Sequence, residues 1–282
     1  LRKTDINYIN KYWGACEDKS APTLEKIHNK YYLRFSFTET VTLSDTPIAE
    51  QIICAVDLGI NTDAVCSIMK ADGTILARKF IDFTSDKDRM IHAMNRTRRK
   101  QSKYGPKSVR GLWAYVKRLN EDRAKKISAA IVEFASQHSV DAIVMEHLDF
   151  KGCKKRGSKV QRLSMWNHGI IREKVEQKAH LLGIRIATIC AWKTSALAFD
   201  GSGSVARDDN NHALAAFTTG KQYNCDLSAS YNIGARYFIR EFLKSLPATE
   251  ESRVKAKVPD AGRRTSCTLS TLRALVKELS AA

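Results

Sequence analysis

The clearest structural signal in this 282-residue chain is the segment Gln51-Ile52-Ile53-Cys54-Ala55-Val56-Asp57-Leu58-Gly59. Its five consecutive apolar residues are typical of a central strand that is covered on both faces. The run ends in an acid, Asp57, whose charge would be costly beside a buried strand unless a partner compensates it. We therefore expect a buried sheet that carries Asp57 at its edge.

Further strands and helices follow this stretch in a regular order. Residues 64–69 and 74–83 are strand candidates, and Ala71-Asp72-Gly73 between them favours a tight turn because of its Asp-Gly pair. The later predicted elements are a helix over 109–137, a strand over 140–146 that ends in Glu146, a helix over 164–182, a strand over 184–190 and a helix over 226–243. This order predicts an α/β fold with a mixed sheet flanked by helices.

The two ends of the chain have less regular patterns. Leu33, Phe35 and Phe37 alternate with polar residues, and Val41 and Leu43 continue the alternation, which predicts one half-buried strand. Because one strand cannot form a sheet and the chain does not begin with Met, we expect an N-terminal portion upstream. Residues 200–204 are predicted as a Gly-Ser loop, and residues 246–282 as a basic tail that becomes helical from Leu269.

The charge is concentrated in two places. The chain has 47 Lys and Arg against 30 Asp and Glu, and sixteen of the cations lie in two runs without any acid, ten within residues 89–118 and six within 151–162. Such runs indicate a surface for a polyanion, and a solvated basic loop is the alternative. The candidate contacts with nucleic acid are Arg96, Arg98, Arg99, Lys100, Lys103, Tyr104, Lys107, Arg110, Lys154, Lys155 and Arg156. Tyr104 is the candidate for base stacking, whereas Trp113 and Tyr115 are expected to pack in the core.

Composition excludes several classes of protein. Hydrophobic residues make up 43% and charged residues 27% of the chain, which is ordinary for a globular protein and excludes a disordered tail. The seven cysteines are widely spaced, lack any Cys-x-x-Cys pair and follow no apolar signal segment, so reduced thiols inside the cell are expected. No apolar run approaches the roughly eighteen residues of a membrane span, and we expect no membrane partner.

Three acids are placed to carry chemistry. Asp57 and Glu146 end predicted strands, and Asp226 opens the last predicted helix, next to the small residues Ala229 and Ser230. Three carboxylates that converge could hold two Mg²⁺ or Mn²⁺ ions for phosphodiester hydrolysis. The alternatives are that the strand-end acids begin surface loops and that Asp226 caps its helix.

Three further residues are weaker candidates for this chemistry. Asp63 and Asp209 could assist a metal ion, but we expect a loop acid and a helix cap. His147 follows Glu146 and is expected to point to the opposite face of its strand, in a packing or surface role.

The segments 55–61 (AVDLGIN), 143–146 (IVME) and 226–233 (DLSASYNI) together resemble the three split RuvC motifs of TnpB, the transposon-associated RNA-guided nucleases related to type V CRISPR effectors. Segments 166–179, 183–184 and 192–195 resemble the stretch between the second and third motifs. The resemblance implies an RNase H-like endonuclease domain in which Asp57, Glu146 and Asp226 bind two Mg²⁺ or Mn²⁺ ions. It also implies a guide RNA and target DNA as partners, and a cytoplasmic, nucleoid-associated location.

The same resemblance implies a division into domains. Residues 1–50 correspond to the C-terminal end of a wedge-like β-barrel, and residues 51–245 to a RuvC-like nuclease domain followed by the basic tail over 246–282. Within the nuclease domain, a basic helical insertion covers about 88–138 and a degenerate zinc-ribbon region about 191–225.

The sequence departs from the family pattern in two places. Where the family has Thr-Ser-x-x-Cys-x-x-Cys-Gly, this chain has Thr194-Ser195-Ala196-Leu197-Ala198-Phe199-Asp200-Gly201-Ser202, so zinc is not expected. The family's Asp-x-Asn-Ala-Ala is here Asp226-Leu227-Ser228-Ala229-Ser230. Two other functions are alternatives: an RNA-guided DNA-binding repressor without nuclease activity, and an RNase H-fold transposase or resolvase without a guide RNA.

Overall fold

The structure is a computed structural model that describes residues 1–16, 18–27, 29–36, 38–148, 166–208, 211 and 213–281. The chain divides into two compact units, Leu1–Thr42 and Leu43–Ala282. None of the helices in these described ranges combines the length and the hydrophobicity that a membrane span needs.

The first unit contains a helix and a two-stranded ribbon. Helix α1 (Lys3–Ile9) continues into a π-helical turn, and strand β1 (Thr23–Ile27) pairs antiparallel with β2 (Lys30–Arg34). The strand predicted from Leu33 to Leu43 is therefore wrong beyond Arg34: the described residues among 35–43 are not in a strand. The alternation continues there, but only Lys30–Arg34 faces a partner strand. No closed barrel is formed by the described residues of this unit.

A five-stranded mixed sheet is the centre of the second unit. Its strands are β3 (Ile52–Asp57), β4 (Ala64–Lys70), β5 (Ile75–Ile81), β6 (Ala142–His147) and β7 (Arg185–Cys190), in the spatial order β5-β4-β3-β6-β7. The first three strands are antiparallel, and β6 and β7 run parallel to β3. Gly73, with φ of +80°, makes the predicted β4–β5 turn. The α/β fold and the mixed sheet expected from the sequence are confirmed.

The remaining elements surround this sheet. They are α2 (Thr84–Tyr104), α3 (Arg110–Gln137), α4 (His168–His180), β8 (Ala206–Arg207), β9 (Leu214–Ala216), β10 (Gln222–Asn224), α5 (Cys225–Ser245), α6 (Ala248–Lys257) and α7 (Leu269–Ser280). Short 3-10 helices at Pro106–Val109 and Pro259–Gly262 precede α3 and follow α6. Strands β8, β9 and β10 form a separate small antiparallel sheet.

Alternate residues of the central strands pack into two different cores. Cys54 and Val56 of β3 lie in a core with residues of α3 and α4, whereas Ile53 and Ala55 lie in a core with residues of α5 and α7. The same alternation occurs in β6, where Val144 belongs to the core of α5. A side chain on the Ile53–Ala55 face at the end of these strands is therefore directed toward α5.

The C-terminal residues, predicted as a basic tail, take part in the second core. Val254 of α6 and Leu269, Leu272 and Leu275 of α7 are buried with the apolar face of α5. The helix predicted from Leu269 is confirmed. Polar residues separate the hydrophobic positions of this segment in the sequence. In the structure these positions share one face, which packs against α5.

Helix α5 lies so close to the sheet that Gly234 has no room for a larger side chain. A Cβ atom at Gly234 would lie 3.0 Å from the Met69 side chain and 3.2 Å from the Ala55 Cβ. We expect Gly234→Val to lower the free energy of unfolding by about 1–3 kcal/mol, because extra volume in a packed core strains its neighbours. Urea denaturation measures this, with Gly111→Val, where a Cβ has open space, as the control for helix propensity. Equal losses in the two variants would contradict the expectation.

Candidate active site

The three predicted carboxylates approach one another at the end of the sheet where β3 and β6 terminate. Val56 of β3 pairs with Met145 of β6, so that the next residues along, Asp57 and Glu146, are neighbours across the parallel pair. Both share the parity of Ala55 and Val144 and lie on the face that α5 covers. Asp226 lies in the first turn of α5. All three carboxylates are half-buried.

The N-cap of helix α5 is Asn224 and not Asp226. The Asn224 side chain accepts a hydrogen bond from the Leu227 N–H at 2.9 Å and is the N-cap. A capping function for Asp226, the alternative left open by the sequence, is therefore wrong.

The charges of Glu146 and Asp226 act on Asp57. Burial raises the pKa of Asp57 well above its usual range, and the negative charges of Glu146 and Asp226 raise it further, while Arg207 acts in the opposite direction. Burial also raises the pKa of Asp226, against the effects of Arg207 and a hydrogen bond from Thr62. The repulsion at Asp57 is the kind that a bound cation relieves.

Glu146 is held by a hydrogen-bond network that sequence reasoning missed. The Thr194 hydroxyl donates to Glu146 Oε1, and the Thr194 carbonyl in turn accepts from the Asn232 side-chain amide at 2.9 Å. Burial raises the pKa of Glu146, and the Thr194 hydrogen bond and the charge of Arg236 oppose that rise. The available signal was the pair of polar residues Asn232 and Arg236, one turn apart in a helix that is otherwise apolar there.

Arg236 fastens the loop that follows β7. Its guanidinium is only 5% exposed and donates to four carbonyl oxygens: Cys190 and Trp192 at 2.8 Å, Thr265 at 3.0 Å and Cys267 at 3.2 Å. The Trp192 oxygen belongs to the loop that carries Thr194, and Cys190 is the last residue of β7 before that loop. Arg236 thereby connects α5, the loop after β7 and the segment before α7.

Arg207 comes to the site from the small sheet in the region predicted as a degenerate zinc ribbon. Its guanidinium donates to Ser195 Oγ at 2.8 Å. Its positive charge opposes the rise in the pKa of both Asp57 and Asp226. The small sheet packs on apolar side chains, including Phe199, whose ring contacts those of Phe217 and Tyr223. An aromatic cluster therefore organises the described part of this region.

The donor types fit a hard divalent cation, although the side chains are not arranged around one. Within the part of the chain that the structure describes, no three His, Cys, Asp or Glu side chains stand as a ready metal-binding group. The Glu146 carboxylate is engaged by Thr194 instead. The two carboxylates whose charges raise the pKa of Asp57, together with Asp57 itself, are nevertheless the type of oxygen donor that Mg²⁺ and Mn²⁺ prefer. The six cysteines in the described residues are free thiols.

The first basic run forms the outer surface of a helical hairpin made by α2 and α3. Met90 and Met94 of α2 pack against Val116 of α3, and many of the exposed side chains of the hairpin are cationic. The exposed candidates are Arg96, Arg98, Arg99, Lys100, Lys103, Tyr104, Lys107 and Arg110. None of these seven cations has a salt-bridge partner within the described residues. The second set, Lys154, Lys155 and Arg156, lies outside the described residues, as does Asp209.

Three aromatic residues near the first basic run have different environments. Trp113 packs against the Met90–Met94 cluster and donates to Gln101 at 3.0 Å, and Tyr115 accepts from Arg89 at 3.3 Å. Tyr104 is 61% exposed, with the Lys103 ammonium 5.2 Å from its ring centroid. Trp113 packs as expected, Tyr115 is half-buried but does not belong to that cluster, and base stacking by Tyr104 stays a prediction.

Asp63 and His147, the weaker candidates, lie in opposite environments. Asp63 is buried in a loop, where it forms salt bridges with Arg123 and, at 3.3 Å, with Lys87, and accepts from the Phe83 N–H at 2.8 Å. These bonds connect the loop after β3 to both α2 and α3. His147 is exposed at the end of β6, as expected.

Comparison with known proteins finds similarity in structure and not in sequence. No protein-family model matches the chain, and neither does any curated protein. The chain is similar to a protein in the cryo-EM structure of a Cas12f1–sgRNA–target DNA complex, with a TM-score of 0.50, 17% identity, and coverage of 74% of this chain and 54% of that one.

Two further structures are similar at lower identity. The crystal structure of the AacC2c1–sgRNA binary complex has a TM-score of 0.50 and 11% identity over 67% of this chain and 39% of that one. T. thermophilus RuvC in complex with a Holliday junction substrate has a TM-score of 0.38 and 10% identity over 68% of this chain and 96% of that one. The chain thus spans about half of the Cas12f1 chain. With the Cas12f1 and AacC2c1 chains it shares the RNase H-like fold expected from the sequence, a mixed five-stranded sheet flanked by helices.

Proposed function

We propose that this chain is the nuclease part of an RNA-guided DNA endonuclease in which Asp57, Glu146 and Asp226 bind Mg²⁺ or Mn²⁺ at the end of the central sheet. When bound, such ions activate a water molecule and stabilise the leaving oxygen of a phosphodiester. The protein's own contribution is to hold three carboxylates on one face, with Thr194 orienting Glu146 and Asn224 capping the helix that presents Asp226.

The observation that carries this proposal is the convergence of the three acids. They come from two neighbouring parallel strands and from the start of the helix that covers them, and Asp57 is repelled by the other two. A sheet of this kind binds ligands at the carboxyl ends of its strands. Acids that cost stability at such a place are typical of a functional site rather than of a structural one.

Guide RNA and target DNA are the proposed partners. The similar Cas12f1 structure is a complex with both, and the exposed cations of the α2–α3 hairpin supply a surface for a phosphate backbone. The proposed origin is a transposon-associated, TnpB-like protein or a miniature type V effector.

The direct experiment purifies the chain, sequences any RNA that remains bound and measures cleavage of DNA that matches this RNA. Cleavage that requires Mg²⁺ or Mn²⁺ and stops with a chelator is the expected result. Cleavage without bound RNA would instead favour a resolvase-type enzyme, and RNA-dependent binding without cleavage would favour a repressor.

The basic face of α2 can be tested by the salt dependence of binding. We expect the combined substitution Arg98→Ala, Arg99→Ala and Lys100→Ala to reduce the slope of log K against log salt concentration by about 2–3, since each phosphate contact contributes about 0.7–0.9. Fluorescence anisotropy at several salt concentrations measures the slope. Arg253→Ala, Arg264→Ala and Lys277→Ala remove the same charge from exposed positions near the C terminus and serve as the control. Equal effects in the two triple variants would assign the change to net charge alone.

A further inference from the structure

Trp192 has a feature that the proposed metal chemistry does not use. It is 64% exposed, which makes it the most exposed large apolar side chain that the structure describes in the unit Leu43–Ala282. It lies two residues beyond Cys190, the last residue of β7, which pairs with His147 next to Glu146. Because β3, β6 and β7 are parallel, Trp192 lies at the same end of the sheet as Asp57 and Glu146, where these strands terminate.

The backbone around Trp192 is fastened from inside the protein. The Trp192 carbonyl accepts from Arg236 at 2.8 Å, and the Thr194 carbonyl accepts from Asn232, whose side chain is fully buried. The Thr194 hydroxyl donates to Glu146. The backbone that carries the exposed indole is therefore held in place, which lowers the entropy lost when a ligand binds there.

The neighbouring residues provide charge and a strained conformation. Lys193, which is exposed, has a φ of +60°, a left-handed conformation that is uncommon for a residue other than glycine and occurs preferentially at functional sites. Arg207, also exposed, donates to Ser195 in the same loop and acts on Asp57 and Asp226. This end of the sheet thus combines the aromatic ring of Trp192, the cations Lys193 and Arg207, and the three carboxylates.

We propose that Trp192 is a stacking platform for a nucleobase of the single strand that enters the site, with Lys193 and Arg207 near the flanking phosphates. The inference rests on the proposed function, because it names the form in which the substrate is bound there. Aromatic rings beside cationic groups bind single-stranded nucleic acid by stacking, with little dependence on sequence. A base stacked at this end of the sheet would bring the adjoining phosphodiester bond toward the carboxylates.

The experiment measures binding of the full chain, in a chelator that prevents cleavage, to fluorescein-labelled single strands of about ten nucleotides. The probes are a DNA, an RNA and an abasic DNA of the same length. We expect Trp192→Ala to weaken binding of the base-containing strands about 5- to 100-fold and to leave binding of the abasic strand unchanged. Trp192→Phe should remain within about threefold of the wild type, because a phenyl ring still stacks.

Two comparisons separate stacking from other effects. The salt slope of Trp192→Ala should equal that of the wild type, because no phosphate contact is removed. Leu181→Ala is the matched control, because Leu181 is 61% exposed and precedes β7, at the opposite end of that strand. The melting temperatures of both variants establish that they are folded.

Wild-type affinity in Trp192→Ala, or an equal loss on the abasic strand, would overturn the stacking role. Failure of the proposed nuclease function appears differently, as binding that depends on Trp192 without cleavage in any divalent metal ion. A larger loss of affinity for the DNA probe than for the RNA probe, or the reverse, would identify which nucleic acid stacks on Trp192.

Discussion

Replacing Asp57 by Asn is expected to reduce DNA cleavage by about 10³-fold or more while leaving nucleic-acid binding unchanged. The proposed ions would lose a ligand that faces both other carboxylates, and metal ions supply several kcal/mol of transition-state stabilisation, at about 1.4 kcal/mol per tenfold in rate. Single-turnover cleavage of matched DNA measures the effect, and anisotropy measures binding. Glu133→Gln removes one exposed carboxylate from α3 and is the control. Wild-type cleavage by Asp57→Asn would refute the role of Asp57.

The same variant is expected to melt at a higher temperature than the wild type in chelator at neutral pH. The pKa of Asp57 is raised in the folded protein, so the folded state loses stability relative to the unfolded state as the pH rises above about 3.9, the unfolded value. Asn has no charge to bury and removes this cost. Divalent metal should then raise the melting temperature of the wild type more than that of Asp57→Asn. A lower melting temperature in chelator, or an equal metal-induced rise, would contradict the electrostatic interpretation.

Replacing Asp63 by Ala is expected to lower the free energy of unfolding by about 3–5 kcal/mol, because it leaves a buried cation without its partner. Arg123 is only 8% exposed, and Asp63 is also the acceptor for Lys87 and for the Phe83 N–H. The corresponding loss in melting temperature is about 6–20 °C for a domain of this size. Urea denaturation and thermal melting measure the two quantities.

A partly exposed salt bridge of the same hairpin is the control for Asp63. Asp86 of α2 contacts Lys126 of α3 at 2.8 Å, with side chains that are 21% and 44% exposed. Since exposed pairs contribute about 0–1 kcal/mol, Asp86→Ala should cost no more than about 1 kcal/mol. A similarly small cost for Asp63→Ala would mean that Arg123 finds other acceptors when Asp63 is absent.

Local sequence signals predicted most of the central sheet. The apolar run over Ile52–Val56, the Asp-Gly turn after β4 and the alternation of helices and strands beyond it are short-range patterns, and the structure has the corresponding elements in that order. The strand predicted beyond Leu33 was wrong because alternation does not specify a partner strand. The part that α6 and α7 take in the core was missed, because the sequence alone does not show that α5 covers their apolar residues.

The α/β fold and the placement of Asp57, Glu146 and Asp226 at the ends of its elements follow from the sequence alone, since apolar runs and the residues that end them are local properties. The groups that surround those acids follow only from the packing of the folded chain. Thr194 meets Glu146 across 48 residues, and Arg123 meets Asp63 across 60, in contacts that no periodicity encodes. Such pairings depend on how strands and helices pack, because a side chain's partner is set by distance in space and not by distance along the chain.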